Sequence, residues 1–175
     1  MFPTPEKERH VGTDEPTGHE EMGAVVQVKE LGHLVLYVRS VERSAAFYRD
    51  VLGWEPAFPD APGMPVAAFS SGRTHHELLL IEVGEGASPL PEGRRIGLYH
   101  FGLKVGDSDD ELREAVVRLR EAGVPISGAS DHTVTHSLYI LDPDGNEVEL
   151  YIDVPGVDWR HDPSLVMAAI RPLAL

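Results

Sequence analysis

The chain repeats one pattern of secondary structure, and this internal repeat limits the possible fold more than any other feature. The segments "VKELGHLVLYV" (28–38) and "GLYHFGLKVGD" (97–107) are both apolar and strand-like. Aligning them places His33 and His100 at equivalent positions. A duplication of this kind predicts two similar modules that fold side by side within one domain.

A helix is predicted after the first strand of each module. The segment 40–54 has apolar side chains near helical spacing and a stop signal at Gly53. The segment 108–124 is amphipathic, with Ser108 as its N-cap and Glu111 completing a capping box. Helices at matching places in the two halves support the duplication.

Short strand-like segments follow each helix, and "PDG" forms a hairpin turn between the last two strands, 136–142 and 146–154. Each half therefore reads β-α-β-β-β. The sequence predicts an α+β fold in which two tandem βαβββ modules form a curved mixed sheet around a shared cleft. This hairpin would also set Tyr139 opposite Glu149.

Charge and composition exclude several classes of function. The 175 residues include 29 acidic and 15 basic side chains, for a net charge of −14. This balance opposes binding to nucleic acid or to anionic membranes, so we expect neither as a partner. There are no cysteines, which excludes disulfides and thiolate chemistry. With no signal-like or membrane-spanning segment apparent, we expect a soluble, cytoplasmic protein.

Three side chains are candidates for a metal centre. His33 and His100 lie in the first strand of each module, and Glu149 lies in the last strand of the second module. Any one of them alone is more often an ordinary core histidine or a solvated acid. The repeat favours a shared metal site instead, because it predicts that the three side chains converge on one cleft. Two imidazoles and one carboxylate form the facial triad of non-haem Fe(II) enzymes, which leaves positions open for substrate and O₂.

A pair of adjacent histidines precedes an apolar run in "RTHHELLLIEV" (73–83). Neighbouring residues of a strand point to opposite faces. We therefore expect His76 to face inward, with the same parity as Leu78, Leu80 and Glu82. His75 would face away from the cleft.

Several segments together resemble the vicinal-oxygen-chelate superfamily, which includes glyoxalase I, bleomycin-resistance proteins and extradiol dioxygenases. The resemblance covers roughly residues 29–155. It is carried by "LGHLVLYVRSVERSAAFYRDVLGWE", "HHELLLIEVG", "GLYHFGLKV" and "HSLYILDPDGNEVELY". Within the superfamily the sequence is most similar to the catechol 2,3-dioxygenase-like, type I extradiol branch.

The resemblance implies ring cleavage of a catechol-type aromatic diol by O₂ at an Fe(II) centre, with Mn(II) as the alternative metal. It implies three metal ligands: His33, His100 and Glu149. It also implies that His76 is the acid–base residue beside the metal. Tyr139 and His132 would hydrogen-bond the oxygens of the diol.

Two other classes of function remain open. A glyoxalase- or epimerase-type isomerase or lyase would use a fourth ligand, for which Glu82 is the candidate. Aligning "IEV" (81–83) with "IDV" (152–154) instead matches Leu78 with Glu149, which leaves the fourth position apolar. A non-enzymatic binder of small molecules, such as an antibiotic, would need no metal.

The predicted domain organisation has three parts. Residues 1–27 form an N-terminal arm, residues 28–155 form one domain with modules 28–84 and 97–155, and residues 156–175 form a C-terminal extension. The extension carries apolar residues that would cap the cleft or pack against a partner subunit. We expect a homo-oligomer, dimeric or larger.

Overall fold

The computed structural model describes residues 26–59 and 63–175, so most of the predicted N-terminal arm lies outside the described residues. Residues 26–31 form neither helix nor strand, and their apolar side chains, such as Val26 and Val28, are exposed. Gly32–Leu175 forms one compact unit, which includes the C-terminal extension. No helix within the described ranges is both long and apolar enough to cross a lipid bilayer.

The first module contains one helix and one three-stranded sheet. Its elements are β1 (Leu34–Val38), α1 (Val41–Ala46) continued by a π-helical turn (Phe47–Val51), β2 (Val66–Phe69) and β3 (Leu78–Glu82). The sheet order is β1-β3-β2, with β1 parallel to β3. The predicted β-α-β-β-β pattern has three strands after the helix; two are formed in the described part of this module, and an isolated bridge joins Pro56 to Phe69.

The second module has the full set of strands. Its elements are β4 (His100–Gly106), α2 (Asp109–Glu121), β5 (Ile126–Asp131), β6 (Thr135–Leu141) and β7 (Glu147–Asp153). The sheet order is β4-β7-β6-β5-β8, in which β8 (Arg171–Pro172) comes from the C-terminal extension. The predicted mixed α+β fold is confirmed.

The capping box predicted for α2 is present. The Oγ of Ser108 accepts a hydrogen bond from the Glu111 N–H, and the Glu111 carboxylate accepts one from the Asp107 N–H at 2.8 Å. These contacts satisfy donors that the first turn leaves free. The helix ends before Gly123, whose φ of 70° is the left-handed conformation that favours glycine.

Each sheet has a buried face and an open face because side chains alternate along a strand. In β7, Val148, Leu150 and Ile152 are buried in the same core cluster as Leu112 and Leu119 of α2. The side chains between them lie on the opposite, open face, and we use the name cleft face for the open face of either sheet. In β1 the same alternation buries residues 36 and 38 and turns residues 35 and 37 to the cleft face.

The β6–β7 turn ties the two modules together. The Asp144 carboxylate accepts hydrogen bonds from the Arg39 N–H and from the Arg43 guanidinium, at 3.0 Å each. The hydroxyl of Tyr48 donates to the buried Asp142 carboxylate at 2.9 Å. Burial and the negative charge of Asp142 raise the pKa of Tyr48, so this phenol remains a donor.

Candidate metal centre

Two of the proposed metal ligands meet on the cleft face of the second sheet. His100 begins β4 and Glu149 lies in the middle of β7, which runs parallel to β4. The His100 Nε2 atom lies 3.3 Å from the Glu149 Oε2 atom, and both side chains are partly exposed. Two donors that bind one metal at about 2.1 Å with a right angle between them lie about 3 Å apart. This pair therefore has the chemistry and the spacing of a metal-chelating edge.

A second acid, Glu147, lies on the other side of the His100 ring. Its Oε1 atom lies 3.2 Å from the His100 Nδ1 atom, and the two residues are register partners in β4 and β7. Neither atom has a hydrogen-bond partner within the described residues, although both are buried. An acid that accepts the Nδ1–H of a ligating histidine orients the ring so that its other nitrogen faces the metal, and Glu147 lies close enough to take this role.

Tyr139 and His132 complete the group around Glu149. Tyr139 pairs with Glu149 across β6 and β7, as the hairpin predicted, and its hydroxyl donates to the Glu149 Oε1 atom at 3.4 Å. The His132 Nε2 atom lies 2.7 Å from the same hydroxyl. Burial and the charge of Glu149 raise the pKa of Tyr139 to about 12. The phenol is therefore protonated at neutral pH and able to donate a hydrogen bond.

A cavity of about 310 Å³ extends from Glu149 along the cleft face of β7. Tyr151 and Asp153 continue this face, and Trp159 and Val166 of the C-terminal extension form a wall. The extension therefore caps part of the cleft, which was one of the two roles considered for it. The volume is at the low end of the range for small-molecule sites.

A glycine makes room for this arrangement. Gly102 is the register partner of Glu149. A Cβ atom at this position would lie 3.2 Å from the ring of Tyr151 and 3.5 Å from the Glu149 Oε2 atom. A larger side chain would therefore displace the carboxylate and the ring that borders the cavity.

His33, His75 and His76 form a separate group next to the first sheet. The His33 ring centroid lies 4.6 Å from that of His76 and 6.2 Å from that of His75. The Nδ1 atoms of His75 and His76 are 2.6 Å apart. Partial burial and the neighbouring His75 and His33 lower the pKa of His76, which favours the neutral imidazole.

The prediction from strand parity was wrong for the doubled histidine. β3 begins at Leu78, so His75 and His76 lie in the bend before the strand, where side chains do not alternate. Both rings belong to one cluster, and His75 does not face away from it. The buried Leu78 and Leu80 lie in the core, on the opposite face from the cleft.

Glu82, the candidate fourth ligand, lies away from the cleft face. Its carboxylate accepts a hydrogen bond from the Val41 N–H at 2.9 Å and so caps helix α1. The strand pairing also corrects the alignment of the two modules by one residue. Val35 pairs with Leu79 as Gly102 pairs with Glu149, so the residue equivalent to Glu149 is Leu79 and not Leu78. The fourth position is still apolar.

The six predicted site residues thus form two groups. One group contains His100, Glu149, Tyr139 and His132, and the other contains His33 and His76. Within residues 26–59 and 63–175, no three His, Cys, Asp or Glu side chains are arranged to hold a metal ion. The His100–Glu149 edge fits a divalent metal, but the third donor of a facial triad is not beside it.

The sequence interpretation missed Glu147 and the cavity wall. Glu147 has the same parity as Glu149 in "NEVELYIDV", so this signal was present in the sequence. Trp159 and Val166 follow the last predicted strand without a regular pattern, and no sequence signal placed them beside Glu149.

Comparisons with known proteins identify relatives of both modules. Residues 30–150 match the model of the Glyoxalase/Bleomycin resistance protein/Dioxygenase superfamily. Catechol-2,3-dioxygenase of Bacillus subtilis (strain 168) is 37% identical over 141 residues, which are 81% of this chain and 47% of that protein. Biphenyl-2,3-diol 1,2-dioxygenase 3 of Rhodococcus globerulus is 32% identical over 148 residues, covering 81% and 75%.

The chain is also similar in fold and sequence to a solved structure whose name indicates a different activity. Lactoylglutathione lyase from Agrobacterium tumefaciens superposes with a TM-score of 0.54 and 30% identity, covering 72% of this chain and 95% of that one. The chain thus spans about half the length of the Bacillus relative but nearly all of the lyase. These matches determine the family and leave the reaction to be inferred from the site.

Proposed function

This chain belongs to the Glyoxalase/Bleomycin resistance protein/Dioxygenase superfamily, and from that premise we propose that it is a metal-dependent extradiol dioxygenase. The proposed reaction opens the ring of a small aromatic diol beside its two oxygens and inserts both atoms of O₂ into the product. Fe(II) is the proposed metal, with Mn(II) as the alternative.

The observation that carries this proposal is the group around Glu149. The His100–Glu149 edge offers one imidazole and one carboxylate to a metal, and Tyr139 and His132 lie directly beside the carboxylate. The dioxygenase relatives from Bacillus and Rhodococcus favour the same reaction. A cavity opening at Glu149 gives a small ligand a place next to this edge.

A lyase or isomerase with four protein ligands is the alternative, and the strand register argues against it. Leu79 occupies the position equivalent to Glu149, and Glu82 is engaged in capping α1. An apolar side chain cannot bind a metal, so the fourth coordination position of the metal would have no protein ligand. Open positions are what a reaction between a chelating diol and O₂ requires.

The bound metal would supply a centre where diol and O₂ meet and exchange electrons. The protonated Tyr139 hydroxyl would donate a hydrogen bond to one diol oxygen, and His132 would hold that hydroxyl in place. Trp159 and Val166 would pack against the ring or its substituent. His76, neutral near pH 7, would move protons as the general acid and base.

Oxygen consumption with defined diols tests the proposal. Protein purified without air is loaded with Fe(II), mixed with catechol or 2,3-dihydroxybiphenyl, and exposed to air. We expect O₂ uptake and formation of a yellow ring-opened product in equal amounts. E149Q is expected to lose both.

Glu82 provides the matched control, because the same change there leaves the proposed donors intact. E82Q is expected to retain the ring cleavage. If E82Q loses bound metal, and the nickel- or zinc-loaded chain converts a hemithioacetal, the lyase assignment is correct instead. A chain that binds no metal and cleaves no diol contradicts both enzymatic assignments and favours a binding protein.

A further inference from the structure

The turn between β5 and β6 contains a residue in a rare backbone conformation. Thr133 has a φ of 72°, and within residues 26–59 and 63–175 it is the only residue other than glycine with a positive φ. This conformation crowds a β-branched side chain against its own backbone, so glycine is the residue that usually adopts it. A strained residue persists only where its surroundings hold it, and such residues are concentrated at functional sites.

The Asp131 carboxylate contacts the strained residue directly. Its Oδ1 atom accepts a hydrogen bond from the Thr133 N–H at 2.7 Å. Its Oδ2 atom lies 3.0 Å from the Arg171 guanidinium, which also donates to the Thr133 hydroxyl at 3.5 Å. Arg171 reaches this turn because β8 pairs with β5 at Asp131. The carboxylate therefore joins the turn to the C-terminal strand.

The two contacts of this carboxylate differ in strength. The Asp131 side chain is 20% exposed, whereas that of Arg171 is 63% exposed. An ion pair with an exposed partner contributes little stability, and a charged acceptor for a backbone N–H contributes more. The hydrogen bond from Asp131 to Thr133 is therefore the main restraint on the turn, and Arg171 supports it.

His132 lies inside this turn, so the turn sets the direction of its ring. The His132 N–H donates to the Thr135 carbonyl at 2.9 Å, and its Nε2 atom lies 2.7 Å from the Tyr139 hydroxyl. Thr133 lies between the two ends of the backbone bond. A negative φ at Thr133 would redirect the chain there, break this bond and turn the ring away from Tyr139.

The oxygens of Asp131 are engaged away from Tyr139 and Glu149. Besides Thr133 and Arg171, the carboxylate faces the His136 ring, whose Nε2 atom lies 3.7 Å from the Asp131 Oδ1 atom. Direct contact with a ligand at Glu149 is not needed for Asp131 to affect the reaction. The turn provides a path from this carboxylate to His132.

We propose, on the basis of the proposed function, that Asp131 is a positioning residue for ring cleavage. It holds Thr133 in the left-handed conformation, and this conformation keeps the His132 ring against the Tyr139 hydroxyl. When the ring donates from Nε2 to the phenol oxygen, the phenol hydrogen stays available for the diol. Arg171 keeps the Asp131 carboxylate in place from the C-terminal strand.

Alanine and asparagine at position 131 test this role. D131A removes the acceptor of the Thr133 N–H, and we expect it to retain wild-type Fe(II) content while kcat for catechol falls by about 10- to 100-fold. D131N keeps an oxygen that can accept this hydrogen bond, so its loss should be less than about tenfold. D110A is the matched control, since Asp110 pairs with Arg113 on α2, on the core side of the sheet, and it should retain the wild-type kcat.

Glycine at position 133 gives the decisive comparison. Glycine adopts a positive φ without steric strain, so the turn no longer depends on the carboxylate. We expect kcat of D131A/T133G to exceed that of D131A by about tenfold. A folded D131A/T133G chain without this recovery, or a D131A chain with the wild-type kcat, would overturn the positioning role.

Nuclear magnetic resonance of the metal-free chain measures the position of His132 without turnover. The ¹⁵N signals of its ring, assigned by comparison with H132Q, report the hydrogen bond to Tyr139. We expect D131A and Y139F to shift these signals and D131A/T133G to return them toward the wild-type values. Circular dichroism verifies folding, and if D131A does not fold, R171A takes its place with a smaller expected shift.

The same spectra separate this inference from the proposed function. A chain that cleaves no diol but shows these shifts overturns the dioxygenase assignment and keeps the link from Asp131 to His132. An active chain whose D131A variant leaves the His132 signals unchanged overturns the positioning role alone. Absence of both the shifts and the ring cleavage overturns both proposals.

Discussion

Glu147 gives the sharpest test of how the proposed metal-binding edge, His100 with Glu149, works. Its Oε1 atom lies 3.2 Å from the His100 Nδ1 atom, on the side of the ring opposite Glu149. If His100 binds metal through Nε2, Glu147 sets the ring orientation and makes the ligand more basic. Its replacement should therefore weaken metal binding without removing a ligand.

The expected size follows from the chemistry of the substituted side chain. E147A removes both the acceptor and the charge, and loss of such a partner lowers metal affinity by about 10- to 100-fold. This corresponds to about 1.4–2.7 kcal/mol of binding free energy. E147Q retains an oxygen that can accept from Nδ1–H, so we expect a loss of less than about tenfold.

Fe(II) affinity is measured anaerobically by competition with a chelator of known affinity. E85A is the matched control, because Glu85 is an exposed acid whose carboxylate lies 3.7 Å from the Arg43 guanidinium. It should bind Fe(II) as the wild type does. If E147A also binds Fe(II) with wild-type affinity while H100A does not, Glu147 does not orient the ligand and the reasoning fails.

Three further substitutions probe the group of His33, His75 and His76, the core and the C-terminal strand. H76F should retain Fe(II) in elemental analysis while ring cleavage falls by about 10²–10⁴, and loss of the iron would make His76 a ligand instead. Y48F removes a hydrogen bond to the buried Asp142 carboxylate and should lower the free energy of unfolding in urea by about 1.5–3 kcal/mol. The Thr133 N–H and the Arg171 guanidinium lower the pKa of Asp131, so the stability it contributes is present above about pH 4 and is lost as pH falls through the lowered pKa. The difference in unfolding free energy between wild type and D131N should therefore shrink below pH 4, and a difference that grows there would contradict this account.

Local signals in the sequence predicted the second module well. The capping box at Ser108 predicted the start of α2, and the turn before Asn146 predicted the pairing of Tyr139 with Glu149. Both features depend on interactions between residues that are close in sequence. Such interactions are encoded directly in the order of the residues.

The first module was harder to predict because strand ends are weakly determined by local pattern. The apolar run after His76 indicated a strand, but the strand begins only at Leu78, so the alternation did not extend to the histidines. A one-residue error in aligning the modules then selected Leu78 instead of Leu79. Since side chains alternate, this error exchanged a core residue for one on the cleft face.

The separation of His33 from His100 could not be predicted from the repeat. A repeat indicates that two modules have similar internal structure, and the two histidines do lie at nearly matching places: His100 is the first residue of β4, whereas His33, predicted to lie in the first strand, immediately precedes β1. The relative orientation of the modules depends on contacts distant in sequence, such as Arg39 with Asp144. These contacts leave no periodic signal.

The C-terminal extension borders the cavity but contributes none of the proposed donor atoms. Trp159 and Val166 border the cavity, and the extension rejoins the sheet only at β8, whose Arg171 pairs with Asp131. The proposed donors on β4 and β7 are instead fixed by a continuous ladder of strand pairing. Changes in the length or composition of residues 156–175 are therefore expected to reshape the space beside Glu149, and with it the choice of ligand, while the donor atoms keep their places.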